Sequence, residues 1–251
     1  MMEKIEINSN AISLRKKFSI DNYTPVDIFS LANSSEDLTL VFYPMGERIS
    51  GICIKDNRNR IIGINSSMTY GRQRFTVAHE LCHLYFHEDF MHIVCSKDLE
   101  RDKDLLEKEA DMFASYFLAP YEALNAFINS LGKSKGKSTL SVTDVVKIEQ
   151  HFGVSRQAIL WRLSIEGYVD SKTAEPMKSN IISSAIKLGF DDRLYRPTPE
   201  HKQYTTQGKY IKLAETLKDR GLISTGKYEE LLLNGFRGDM VFGFEEEEAY
   251  D

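Results

Sequence analysis

The chain has 251 residues and a formal net charge of −5, with 42% hydrophobic and 27% charged residues. These values are ordinary for a globular protein with one substantial core, and the negative charge argues against a protein that coats nucleic acid. The three cysteines, Cys53, Cys82 and Cys95, lack CxxC spacing and predict reduced thiols. The sequence shows no apolar leader and no run of eighteen apolar residues, so we expect a cytoplasmic protein without a membrane partner.

The first quarter of the chain predicts two helices and then three strands. Residues 9–18 fit a short helix, and Thr24 followed by Pro25 is typical of the start of a second one. The predicted strands are 38–43, 49–54 and 60–65. We expect a small antiparallel sheet of about three strands packed on the next helix. An edge strand of such a sheet can pair with an extended peptide.

That next helix carries the motif His79-Glu80-x-x-His83. Positions i and i+4 of a helix lie on one face, about 6 Å apart along the axis, so both imidazoles can bind one metal ion, most often zinc. Glu80 lies about 100° around the helix, as expected for a base that acts on water rather than for a ligand. A separate apolar stripe is formed by Ala78, Leu81, Cys82 and Tyr85. It predicts that the two histidines lie off the buried face. The alternative is an ordinary amphipathic helix with two histidines that bind no metal.

The rest of the chain predicts helices. After a loop at 88–102, the expected helices are 103–118, 121–131, 143–151, 156–166, 177–188, 208–220 and 226–233. The small, basic segment 132–138 is interpreted as a linker between a domain of residues 1–132 and a helical domain of residues 139–251. Within the second domain, residues 141–167 have a helix-turn-helix pattern around Gly153 and Ser155. The glutamates at 245–248 predict a solvated acidic tail.

A catalytic zinc ion has three protein ligands and one open position, so a third ligand is needed. The candidates are His87, Asp89, His92, Glu107, Glu109 and Asp111. His87 lies about 12 Å along the helix axis from His79, too far to share its ion. Glu107 and Asp111 share one helix face, which lets one carboxylate bind the metal while the other holds a ligand histidine. Periodicity alone does not choose between Glu107 and Glu109, and the Asp111 partner favours Glu107.

Taken in order, these motifs resemble the ImmA/IrrE family of metallo-endopeptidases. The resemblance rests on Arg72-Gln-Arg-Phe-Thr-x-Ala-His-Glu-x-x-His83, Glu107-x-x-Ala-Asp111-x-Phe-Ala and Leu118-x-Pro120. It implies a zinc ion held by His79, His83 and Glu107, with Glu80 as the catalytic base. It also implies a substrate that is a helix-turn-helix transcriptional repressor, cleaved to induce a mobile element or a stress response. The expected fold class is α+β, with a zincin-like domain before an all-helical region.

Two further expectations concern residues around this centre. Asp111 would orient one of the ligand histidines, and the sequence does not say which. Tyr85, His87 and His92 are the nearest candidates for an oxyanion donor.

A regulatory binding module with a structural or sensing metal site is the alternative function. The helix-turn-helix-like segment would then bind DNA or a protein. Its basic residues Lys147, Arg156 and Arg162 are mixed with acidic ones and form no basic stripe, which disfavours direct DNA binding.

Overall fold

The computed structural model describes residues 3–87, 92–96, 105–136 and 138–243. The candidate ligand Asp89, most of the predicted loop at 88–102 and the predicted acidic tail lie outside these ranges. The α+β class is confirmed, with one mixed sheet and helices along most of the remaining chain. None of the helices in these ranges is long and apolar enough to cross a membrane.

A sheet of five strands forms the centre of the fold, in the order β4-β2-β3-β1-β5. The strands are β1 Leu38–Tyr43, β2 Ile49–Lys55, β3 Arg60–Asn65, β4 His92–Ser96 and β5 Thr205–Gly208. The three predicted strands are present, but two more extend the sheet at its edges. β3 lies between β1 and β2 and pairs parallel with β1, whereas the other pairs are antiparallel. The expectation of a purely antiparallel sheet of about three strands is therefore wrong, because β2 and β3 form a hairpin that inserts β3 beside β1.

Twelve α-helices lie in the described ranges. They are α1 Lys4–Lys17, α2 Ile28–Ser34, α3 Tyr70–Phe86, α4 Leu105–Leu118, α5 Tyr121–Ser130, α6 Val142–Phe152, α7 Arg156–Ile165, α8 Ser171–Ala174, α9 Ile181–Ile186, α10 Lys209–Asp219, α11 Thr225–Asn234 and α12 Gly238–Phe242. Short 3-10 helices occur at Glu175–Lys178, Arg193–Tyr195 and Glu200–Lys202.

Three predicted helices have boundaries that differ by more than two residues from the observed ones. The first, predicted at 9–18, begins five residues earlier, at Lys4. The second helix begins at Ile28 rather than at Pro25, because the Asp27 side chain accepts the Ser30 amide, whereas Thr24 is held in a turn by Asp21. The predicted helix at 177–188 is divided into a 3-10 turn and α9, because Asn180 between them has a left-handed backbone with φ of 52°.

One hydrophobic core includes residues from both sides of the predicted linker. Its buried members range from Ile7 in α1 to Met177, and Phe113 and Phe117 of α4 belong to the same cluster as Phe152 of α6. The chain after the linker also supplies β5, which pairs with β1 at one edge of the sheet. The segment 132–138 thus connects two parts of one buried core.

Candidate metal centre

Helix α3 is buried on all sides over most of its length. It packs against β2 and β3 on one side and against α4 on another, and every residue from Gln73 to Leu84 is buried. His79 is 4% exposed and His83 is 0% exposed. The expectation that these histidines lie off the buried face is wrong, because α4 covers the face that the apolar stripe leaves open.

The side chains of His79, His83 and Glu107 converge where α3 meets α4. The Nε2 atoms of His79 and His83 are 3.1 Å apart. One carboxylate oxygen of Glu107 lies 3.4 Å from Nε2 of His79, and the other lies 3.2 Å from Nε2 of His83. One potential ligand atom from each residue lies within 4.8 Å of the others. Three atoms bonded to one zinc ion at about 2.0–2.1 Å in a tetrahedral arrangement would be about 3.3 Å apart. The donor types and their spacing therefore fit a zinc ion.

Asp111 lies behind His79, on the side away from this centre. Its Oδ1 is 2.9 Å from Nδ1 of His79, and both side chains are buried. A carboxylate in this position fixes the ring so that Nε2 faces the metal site. The structure thus answers which histidine Asp111 contacts, a choice that the sequence leaves open.

The charges around His79 alter its proton affinity. Burial alone would lower the pKa of His79, but hydrogen bonds with Asp111 and Glu107 outweigh that effect and raise the pKa to about 9. Burial likewise acts to raise the pKa of Glu107, and its contacts with His79 and His83 outweigh it and lower the pKa. In the metal-free protein the site therefore holds a positively charged imidazole against a carboxylate, and a metal ion would replace that proton.

Glu80 is completely buried, and neither oxygen of its carboxylate has a hydrogen-bond partner among the described residues. It faces β2 at Gly51, where an added Cβ would lie 3.0 Å from Oε1 of Glu80 and 2.4 Å from Cγ2 of Thr76. A buried carboxylate without partners is costly, so it is expected where a function requires it. Glycine at position 51 gives this carboxylate its space.

The other candidates occupy different positions. His87 contacts His83, with 2.8 Å between their Nδ1 atoms, and is not part of the convergent group. Glu109 lies beyond His87, with Oε2 3.8 Å from its Nε2. Burial lowers the pKa of His87 to about 4, and the neighbouring His83 adds to the effect. His87 is therefore a neutral neighbour of a candidate ligand, a role that its i, i+4 spacing from His83 could have indicated.

Cys82, inside the motif, and Tyr85, two residues after it, are packed against other side chains. Tyr85 contacts the ring of Phe18 and lies under Lys17 and Arg60, so it faces α1 rather than the metal centre. Cys82 is a buried thiol whose pKa is raised by burial, which makes it an inert small hydrophobe. The side chain of His92 lies outside the described part of the structure.

The fold and this centre define a class of protein: an α+β domain in which a helix with two histidines and a glutamate meets a second helix with a carboxylate. Comparison with known families identifies it further. Residues 34–164 match the family described as the IrrE N-terminal-like domain, and the chain belongs to that family of peptidases. The chain is also 31% identical over 109 residues to the radiation response metalloprotease IrrE of Deinococcus deserti. That match covers 42% of this chain and 38% of the relative, so the two are compared over less than half of either.

Proposed function

We propose that the protein is a zinc-dependent endopeptidase that cleaves a helix-turn-helix transcriptional repressor. The observation that carries the proposal is the convergence of His79, His83 and Glu107 at 3.1–3.4 Å beside the buried carboxylate of Glu80. Membership of a peptidase family and the similarity to a metalloprotease support it. A site with three ligands and an adjacent base is typical of catalytic zinc rather than of a structural ion, which normally has four protein ligands.

In this mechanism the chain holds the ion through His79, His83 and Glu107. When bound, zinc supplies a Lewis acid that polarises a peptide carbonyl and lowers the pKa of a water molecule. Glu80 would accept the proton of the attacking water molecule as its oxygen forms a bond to the carbonyl carbon. Glu80 then donates the proton to the amine nitrogen as the peptide bond breaks. Asp111 holds the ring of His79 throughout, with 2.9 Å between Oδ1 and Nδ1.

The sheet supplies a place for an extended substrate. β4 is the last strand on one side of the sheet in the described ranges, and its Cys95 backbone is in register with Gly51 of β2. Gly51 in turn lies against Glu80. A peptide segment added beside β4 would be bound through main-chain hydrogen bonds of that strand and would lie two strand spacings, roughly 10 Å, from Gly51.

Burial of arginines in the helix-turn-helix-like segment argues against DNA as the partner. Arg156 and Arg162 are each 1% exposed. Arg156 forms an ion pair with Glu149 at 2.6 Å, and Arg162 stacks on the ring of Tyr116 at 3.7 Å while pairing with Glu166. Side chains engaged in this way are not available to contact phosphates. These contacts favour a protein rather than DNA as the partner. The buried free thiol of Cys82 accords with a cytoplasmic location.

The test is cleavage of a helix-turn-helix repressor from the same genome. Purified protein is incubated with that repressor in the presence of zinc and after removal of metal by a chelator, and the fragments are identified by mass spectrometry. We expect defined fragments only with metal. Absence of cleavage by the zinc-loaded protein, or cleavage that the chelator leaves unchanged, would contradict the proposal.

A further inference from the structure

The two candidate ligand histidines have different partners. Nδ1 of His79 faces the carboxylate of Asp111, whereas Nδ1 of His83 faces Nδ1 of His87 at 2.8 Å. His83 is 0% exposed and His87 is 6% exposed, so water does not compete freely for this contact. The rings of His83 and His87 are 4.8 Å apart with an interplanar angle of 60°, which allows one nitrogen to donate in the plane of the other ring.

The location of each ring proton follows from metal binding. A histidine that binds an ion through Nε2 carries its remaining proton on Nδ1. In His83 that proton points at Nδ1 of His87, which must accept it and so must be unprotonated. His87 then carries its own proton on Nε2, the nitrogen that faces Oε2 of Glu109 at 3.8 Å. The carboxylate favours this tautomer electrostatically, although the distance is longer than a direct hydrogen bond.

We propose that His87 is the positioning residue of the second metal ligand: by accepting the Nδ1 proton of His83 it fixes the tautomer and the ring orientation that present Nε2 to zinc. Glu109 acts on His87 and not on the metal. The metal site would then have one ligand supported by a carboxylate and one supported by a neutral imidazole. This inference rests on the metal site of the proposed function and is independent of the identity of the substrate.

Two variants of His87 can distinguish a hydrogen-bonding role of this side chain from a role in packing alone. Asparagine at position 87 places an amide oxygen about where Nδ1 of histidine lies and can accept the same proton. Leucine fills a similar volume but has no acceptor. The pair His87→Asn and His87→Leu therefore separates hydrogen bonding from packing. His151→Leu is the matched control, because His151 lies in α6 and stacks on Phe127 at 4.1 Å.

The first measurement is zinc affinity, by competition with a chromophoric chelator. We expect His87→Leu to lose about 10–100-fold in affinity, as is typical when the partner of a ligand is removed. His87→Asn should stay within about threefold of the wild type, and His151→Leu should equal the wild type. Circular dichroism of each variant verifies that it is folded. Equal affinities of His87→Leu and the wild type, or equal losses in the leucine and asparagine variants, would overturn the role of His87.

The second measurement uses only the wild-type protein, so its outcome does not depend on whether a variant folds. Long-range proton–nitrogen correlation spectra of the zinc-loaded protein report the tautomer of each histidine. We expect His83 with its proton on Nδ1 and neutral His87 with its proton on Nε2. A His87 ring that is protonated on Nδ1, or on both nitrogens, would overturn the inference while leaving the peptidase proposal intact. A wild-type protein that binds no zinc would overturn both.

Discussion

Replacement of Asp111 by asparagine should weaken zinc binding in a way that depends on pH. Asparagine keeps an oxygen near Nδ1 of His79 but removes the negative charge that lies 2.9 Å from that ring. Two effects follow and have opposite signs. The imidazole becomes a weaker donor to the metal, and it also binds its competing proton less tightly, because Asp111 helps to raise the pKa of His79 to about 9.

The magnitudes can be worked out from that pKa. At pH 7 a group with a pKa of about 9 is about 99% protonated, so proton competition weakens zinc binding to the wild type by about 100-fold. As the pH rises towards 9 this competition disappears, and the apparent affinity increases about tenfold per unit. In the Asp111→Asn variant the pKa of His79 is lower, so the apparent zinc affinity of the variant stops increasing at a lower pH. Loss of the charged partner costs about 10–100-fold, or about 1.4–2.7 kcal/mol, and this loss is fully visible only near pH 9.

The assay is zinc affinity by chelator competition at pH 7, 8 and 9, with proton release measured by calorimetry in two buffers of different ionisation enthalpy. We expect the gap between the variant and the wild type to widen as the pH rises. The wild type should also release more protons per zinc ion at pH 7 than the variant does. A gap that is constant with pH, or equal proton release, would refute the assigned pairing of Asp111 with His79.

Three further predictions concern the same site. Glu80→Gln should retain about one zinc ion per chain, measured by mass spectrometry, and lose repressor cleavage; cleavage at the wild-type rate would contradict its role as the base. Alanine at any one of the predicted ligands His79, His83 and Glu107 should abolish tight zinc binding. Glu109→Ala should weaken zinc binding less, because Glu109 acts through His87. Gly51→Ala should lower the unfolding free energy by about 1–3 kcal/mol and slow cleavage, since its Cβ would lie 2.4 Å from Thr76 and 3.0 Å from Glu80. Gly226→Ala on α11, where nothing lies within 4 Å of the added carbon, is the control, and equal thermal midpoints for the two variants would refute the packing argument.

Local patterns predicted the elements that carry the site. The i, i+4 spacing of His79 and His83 needs only helical geometry, and the hydrophobic periodicity of α4 predicts a helix that ends at Leu118, as observed. The convergence of Glu107 with the two histidines required the packing of α3 on α4, which spacing within one helix does not contain. The favoured Glu107 is the carboxylate that the structure brings to these histidines, and Glu109 lies behind His87 instead.

Features that depend on distant parts of the chain were missed for physical reasons. β5 is four residues long, without strand-like alternation of apolar residues, and becomes a strand only because β1 offers it an edge. The burial of the histidine face also has a tertiary cause, since α4 supplies the cover. His87 was rejected as a ligand because of its distance along the helix, and the same i, i+4 rule that pairs His79 with His83 pairs His83 with His87.

The part of the chain beyond the matched family region contacts α3 directly. Gln73 lies six residues before His79 in α3 and is 1% exposed; its amide nitrogen donates to the Met68 carbonyl at 2.7 Å and also contacts Thr198 at 3.1 Å. Gly71 is so close to Leu194 that an added Cβ would lie 3.1 Å from its Cδ1. Thr198 and Leu194 both follow residue 164, where the family match ends. Because a helix is rigid over two turns, contacts at its first turn constrain where His79 and Glu80 lie. The C-terminal region therefore helps to position α3, which carries the candidate metal ligands His79 and His83.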